Sequence, residues 1–195
     1  MWAIWPFLIS HEARPAAAGN HIAKTLLQTI AMWTVFLFLG PYLIFHLEGM
    51  LGLTRFRFDF PYRRGIAILI FSLCGLVGVY CGTLMAVKGE GTPLPADCPR
   101  RLIIIGLYRY VRNPMAMSSL TQGLCTAIWL GSPLTLVYVA AGAMLWNYMA
   151  RPREEADLER RFGQPFRDYR HAVRCWIPRI TPYLAPQESF ANVAE

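Results

Sequence analysis

Two stretches without a single formal charge, Leu26 to Leu47 and Gly65 to Val87, restrict this chain more than any other feature. Each is close to the ~20 residues that a helix needs to cross a ~30 Å hydrocarbon core. A surface helix of a water-soluble domain carries a polar face over that length. A third uncharged stretch runs from Asn113 to Ala150 and is broken by Gly131-Ser132-Pro133. Gly and Pro punctuate helices, so this stretch reads as a helical hairpin with a tight turn. Charged residues make up 16% of the chain, well below the roughly 25% of soluble domains. The expected fold is therefore all-α: a polytopic membrane bundle of about four to five transmembrane helices with a cytosolic C-terminal helical segment. The spans are expected near 24–47, 65–87, 113–130 and 133–150. At 195 residues the chain holds one domain, 1–195, and no second large unit. Met1 to Ser10 is apolar but too short to cross and contains Pro6. It reads as an interfacial segment or the start of an additional broken span, without the basic region of a signal peptide.

Net charge is +7, and seventeen of the nineteen basic residues are arginine. The planar guanidinium fork suits carboxylate and phosphate partners. In a membrane chain this points first to anionic headgroups, and nucleic acid is not an expected partner. The segment 88–112 carries Lys88, Arg100, Arg101, Arg109 and Arg112, and the tail from 151 to 179 carries eight arginines. By the positive-inside rule both are expected to be cytosolic, with the N-terminus on the same side. The connection 48–64 resists this assignment, because it holds Arg55, Arg57, Arg63 and Arg64 yet falls on the other side. The five cysteines form no C-x-x-C pair and read as buried thiols rather than a metal site. Gly75, Gly78 and Gly82 allow close helix approach within the bundle.

Two segments carry chemistry. Gly-Leu-Tyr-Arg-Tyr-Val-Arg-Asn-Pro-Met, 106–115, sets Arg109 and Arg112 at a helix start, where Asn113 suits the cap and Pro114 the first turn. Free amides and arginines make an anion-receptive corner there. Arg151-Pro-Arg-Glu-Glu follows the last apolar run, and Pro152 is expected to end or kink that helix. Leu158, Phe162, Phe166 and Tyr169 then form an apolar stripe suited to two short amphipathic helices.

With Gly-Thr-Pro-x-Pro at 91–95 and the run Arg-Pro-x-Glu-Glu-x-x-Leu-x-x-x-Phe-Gly-x-x-Phe-x-x-Tyr at 151–169, this ordered set resembles the isoprenylcysteine carboxyl methyltransferase and phospholipid N-methyltransferase superfamily. The resemblance covers about residues 65–180 and implies an integral membrane methyltransferase that binds S-adenosyl-L-methionine at the cytosolic face. It assigns the cofactor to Arg100, Arg101, Leu102, Ile103, Gly106, Tyr108, Arg112, Asn113, Pro114, Met115, Ala116 and Glu154. It assigns catalysis and acceptor binding to Arg151, Glu154 and Glu155, while Arg153 is read as solvated. Asn113 stands where prenylcysteine enzymes have His, and Ala116 where many members have Tyr. The Arg-Asn-Pro form resembles prokaryotic relatives, which implies a multi-pass protein of the inner (cytoplasmic) membrane. The expected partner is a lipid or lipidated small-molecule acceptor. A carboxylate acceptor is favoured, because no histidine near the motifs is available to deprotonate an amine. The alternatives are phosphatidylethanolamine N-methylation and, in another class, a non-catalytic lipid-binding scaffold.

Overall fold

The computed structural model describes residues 13, 17–92 and 98–185. The expectations for Met1 to Ser10, and most of that for the proline-rich loop at 91–95, lie outside the described residues. Those described contain helices and no strand. In chain order the helices are α1 (Ala18–Trp33), α2 (Gly40–Met50), α3 (Arg63–Lys88), α4 (Pro114–Leu130), α5 (Pro133–Leu145), α6 (Arg151–Phe162) and α7 (Gln164–Ala172). The run Leu102 to Ile105 is irregular backbone, packed by its side chains.

α1 and α2 are one continuous rod, joined by a π-helical turn at Thr34–Leu39. α5 and α6 are joined in the same way, by a π-helical turn at Trp146–Ala150. Both turns sit just ahead of a proline, Pro41 and Pro152. Proline lacks the N–H of its helical hydrogen bond and crowds the carbonyl four residues back. Widening the preceding turn relieves that crowding, and the following amides reach back five residues: Gly40 to Val35 and Arg151 to Trp146. The carbonyl of Phe36 accepts instead from the Tyr138 hydroxyl at 3.2 Å. Pro152 therefore does not end the helix, which runs on into α6.

Among the described residues, two rods are long and apolar enough to cross a membrane: Ala18–Met50, of 33 residues, and Arg63–Lys88, of 26. α4 is shorter at 17 residues and packs along α3 through a seam of small residues. Gly75, Gly78 and Gly82 are buried on α3. A methyl at Gly78 would meet the Ser118 hydroxyl at 3.3 Å, and one at Gly82 would meet Thr25 at 3.1 Å. That close approach lets Ser118 donate to the Cys74 carbonyl and the Gln122 amide to that of Phe71. The glycines thus serve packing within the chain. The hairpin falls where expected, with Gly131 at φ 65° closing α4 and the Ser132 hydroxyl capping α5 through the Thr135 amide.

The arginines of 48–64 have an internal use. Glu48, 1% exposed, accepts from Arg57 at 3.1 Å, the Ser132 hydroxyl at 2.7 Å and the Leu134 amide at 2.9 Å. Arg57 also lies 3.5 Å over the Phe45 ring and donates to the Phe45 carbonyl. Arg63 pairs with Asp59 and donates to the carbonyls of Ile128 and Trp129 at the C-terminal end of α4, where the helix dipole favours a cation. Arg57 and Arg63 are fold elements, so counting them as topology markers overweights that connection.

Glu48→Ala would leave the Arg57 charge and the start of α5 without their acceptor. Breaking a buried pair in this way costs about 3–5 kcal/mol. Thermal unfolding in detergent is expected to show a markedly lower midpoint for Glu48→Ala, and a smaller drop for Glu48→Gln, which keeps an acceptor.

Candidate functional site

α6, α7 and the loop between α3 and α4 close over the end of the bundle where α3 stops and α4 begins. Ile104, Phe162, Phe166, Tyr169 and Val173 form the apolar core of this cap. The sequence stripe on α6 and α7 supplies three of these five. The tail then returns along the motif 108–112. The Arg112 amide donates to the Arg174 carbonyl at 3.0 Å, the Arg179 amide to Tyr110 at 2.8 Å and the Tyr183 amide to Arg109 at 2.9 Å. The Tyr169 hydroxyl donates to the Tyr108 carbonyl at 2.6 Å. Arg109 Nε is taken up by the Tyr183 carbonyl. The expected pair of arginines at the α4 start is therefore divided: Arg112 turns inward and Arg109 holds the tail. Asn113 caps α4 as expected, accepting from the Ala116 amide at 2.9 Å.

Beneath the cap lies a cavity of about 380 Å³. Of the residues expected at a site, Arg101, Leu102, Ile103, Tyr108, Arg112, Asn113, Arg151, Glu154 and Glu155 line it. Arg100 does not; it lies 3.4 Å from Glu90. Gly106 is a backbone device, at φ 56° against the Tyr80 ring. Pro114 and Ala116 shape the start of α4, and Met115 packs on the Cys81, Ile103 and Tyr108 cluster. Arg153, read as solvated, is exposed but reaches the cavity rim. Sequence reading missed Met32, Met85, Trp146, Asp157 and Cys175. Asp157 shares the carboxylate-rich start of α6, a visible signal. Met32 belongs to a rod whose sequence names no partner.

The cavity lining combines charged residues with apolar ones, among them Met32, Met85, Trp146 and Ala150. Among the charged residues Glu155 Oε1 sits 2.9 Å from Arg112 Nη1 and 3.9 Å from Arg151 Nη1. Arg151 Nε also donates to the Asn147 carbonyl at 3.3 Å, within the π turn. Glu154 has no ion pair among the described residues. Its side chain is exposed and lines the cavity. Desolvation by the surrounding protein atoms, and then the neighbouring Glu155 charge, push its pKa up to about 7. The Tyr108 hydroxyl and Arg112 Nε are buried without a partner, and burial holds the Tyr108 phenol well above its ordinary range. An unpaired acid and orphaned donors around one cavity are groups arranged for a ligand rather than for each other.

A membrane-type chain, helical in its described residues, with a cavity lined by both charged and apolar side chains is the class that fold and site define. The phospholipid methyltransferase family matches residues 64–165, just over half of the chain. The chain belongs to that family. No curated protein and no solved structure matches it. The matched segment runs from α3 into α7; Met32, Tyr169 and Cys175 line the cavity from outside it.

The Glu154 shift has a definite sign. Its carboxyl ionises near 4.5 without desolvation and near 7 in the fold, so between those values the native state holds the extra proton. Stability then falls as pH rises through this window, and the full cost is present above it. In thermal scans Glu154→Gln is expected to exceed wild type at pH 8 and to converge with it near pH 4.5. A gap that does not change with pH would show that Glu154 is not the titrating group.

Proposed function

We propose that the protein is a single-domain, integral membrane methyltransferase that uses S-adenosyl-L-methionine and acts on a lipidic acceptor. The observation that carries this reading is the cavity itself, whose lining brings together an unpaired Glu154, an anchored Arg151 and apolar side chains. In this reading the rods 18–50 and 63–88 and the hairpin arms 114–130 and 133–150 make four crossings. The site then faces the cytosol of a prokaryotic inner membrane.

The residues present fit the cofactor. Glu154 offers a carboxylate to a cationic group, and Tyr108 and Arg112 offer buried donors that have no other partner. Leu102 and Ile103 offer apolar wall. When bound, S-adenosyl-L-methionine supplies a methyl group on a positively charged sulfur. The protein's part is to hold an acceptor in line with it, since positioning removes most of the entropic barrier of a two-body encounter. Arg151 leaves the membrane-level part of its helix with its fork towards the cavity, so it suits a phosphate or carboxylate whose hydrocarbon lies against Met32 and Trp146. Glu155 sits between Arg112 and Arg151 and sets the direction of both guanidinium groups.

The acceptor's nature turns on Glu154. The sequence favours a carboxylate acceptor because no histidine lies near the motifs to deprotonate an amine. A carboxyl that titrates near 7 inside the cavity is suited to take a proton at neutral pH. This supports a phospholipid amine, with Arg151 on its phosphate. A carboxylate acceptor remains the second reading, supported by the same Arg151 fork. Protein in lipid nanodiscs, given methyl-labelled cofactor, distinguishes them. Label that enters lipid and stays non-volatile after alkali marks an amine, and label released by alkali as methanol marks an ester. Cofactor that binds without label reaching any lipid would favour a lipid-binding scaffold.

The two glutamates are expected to separate. Glu154→Gln should weaken cofactor binding roughly ten- to a hundredfold without lowering thermal stability at neutral pH. Glu155→Gln should lower stability by loosening Arg112, with a smaller effect on the cofactor. Calorimetric titration beside thermal scans reads both.

Arg151→Lys keeps the charge but loses the two-pronged grip on an oxyanion. Turnover is expected to fall roughly tenfold or more, with cofactor affinity nearly unchanged, while Arg153→Lys has little effect. Damage from Arg153→Lys instead would move acceptor binding to the cavity rim.

A further inference from the structure

A second concavity, of about 600 Å³, lies at the other end of the bundle. Its walls include Phe38 and Tyr42 of the first rod, Ala67, Ile68 and Phe71 of α3, and Trp129 of α4. Trp129 stands one residue from the α4 terminus opposite Pro114, and Ala67 lies near the start of α3. The 26 residues of α3 put about 39 Å between its ends at 1.5 Å per residue. The groove therefore belongs to the opposite membrane face from the charged cavity.

The groove is dry in character. The Thr34 and Thr126 hydroxyls on its wall donate to the carbonyls of Ile30 and Gln122 on their own helices, which leaves hydrocarbon as the natural filling. Its mouth is not apolar. Arg64, Ala67, Ile68 and Phe71 follow the spacing that puts residues on one helix face, so Arg64 heads the stripe that lines the groove. Arg64 is exposed, forms no ion pair among the described residues, and has its guanidinium carbon 5.8 Å from the centre of the Trp129 ring. The nearby Asp59 carboxylate is engaged by Arg63. A free cation and a tryptophan at the interface level, over an apolar slot that continues about 10 Å along seven residues of helix, match a lipid's anionic head and first chain segment.

We propose that this groove binds an anionic glycerophospholipid of the leaflet opposite the charged cavity, with Arg64 on the phosphate-bearing head and one acyl chain laid over Ile68 and the packed Phe38 and Phe71 rings. Charge complementarity selects the class: among the described residues Asp59 is the one carboxylate beside both Arg63 and Arg64 and pairs with Arg63, so the mouth keeps a net positive charge. The site stands independently of methyl transfer.

Native mass spectrometry of detergent-purified protein, incubated with phosphatidylglycerol or phosphatidylcholine of identical chains, tests it. Phosphatidylglycerol is expected to be retained roughly fivefold better. Arg64→Gln should abolish that preference, and Ile68→Trp, which fills the groove from an exposed position, should reduce retention of both lipids. Arg55→Gln, also exposed but directed at Phe56, should change neither. Equal retention of the two lipids overturns the proposal, as does a preference that survives Arg64→Gln or retention unaffected by Ile68→Trp. Either result reduces the groove to general annular contact.

Discussion

A proline inside a helix that runs through lipid exposes carbonyls that water cannot reach, and much of this structure follows from how that is handled. Backbone groups in hydrocarbon must find partners within the protein. Pro41 and Pro152 each sit just after a π-helical turn, and in both places the freed carbonyls are used. Phe36 accepts from Tyr138, which ties the first rod to α5. Asn147 accepts from Arg151 with its carbonyl, and from Trp176 with its side chain at 2.9 Å. The second turn thereby fixes the direction of Arg151 and draws the tail over the cavity. π turns recur at functional sites because they rotate a helix face without breaking the helix. Here the rotation brings Arg151, Glu154 and Glu155 to one wall.

The charged wall then depends on an imbalance. One carboxylate, Glu155, lies beside two arginines, and its neighbour Glu154 has none. Had both glutamates been paired, the wall would be a structural network with no acid to offer. Desolvation without a counterion costs stability in the absence of a ligand. Binding sites characteristically accept that cost where a cation or a proton is to be received.

Much of the fold was legible in the sequence, since uncharged length, glycine seams and the Gly131-Ser132-Pro133 turn each have a local cause. Asn113 as cap and Pro114 as first helical residue were legible for the same reason. What local pattern could not give was partnership across the chain. Arg109 and Arg112 look alike in sequence, yet one binds the Tyr183 carbonyl and the other lines the cavity, because the tail arrives from seventy residues away. Pro152 carries a strong local signal for a helix end, which the widened turn before it overrides. Met32 enters the cavity through packing of α1 on α3, which no motif announces.

Arginine use unifies the two ends of the bundle. A guanidinium fork in or near lipid has three stable uses: bonding carbonyls at a helix end, pairing with a buried acid, or waiting for an anionic ligand. Arg63 takes the first and ties α3 to the end of α4, while Arg57 takes the second on Glu48, which locks the hairpin turn to the first rod. Arg151 lies between the second and third uses, at 3.9 Å from a carboxylate that Arg112 already holds more closely. That distance leaves its fork only partly committed. Arg64 forms no ion pair among the described residues, since the nearby Asp59 pairs with Arg63. Composition counts all four alike, which is why a chain so rich in arginine reads from its sequence as merely basic. The four separate only when each fork's acceptor is found, and the two arginines without a full one are those that the proposed lipid sites use.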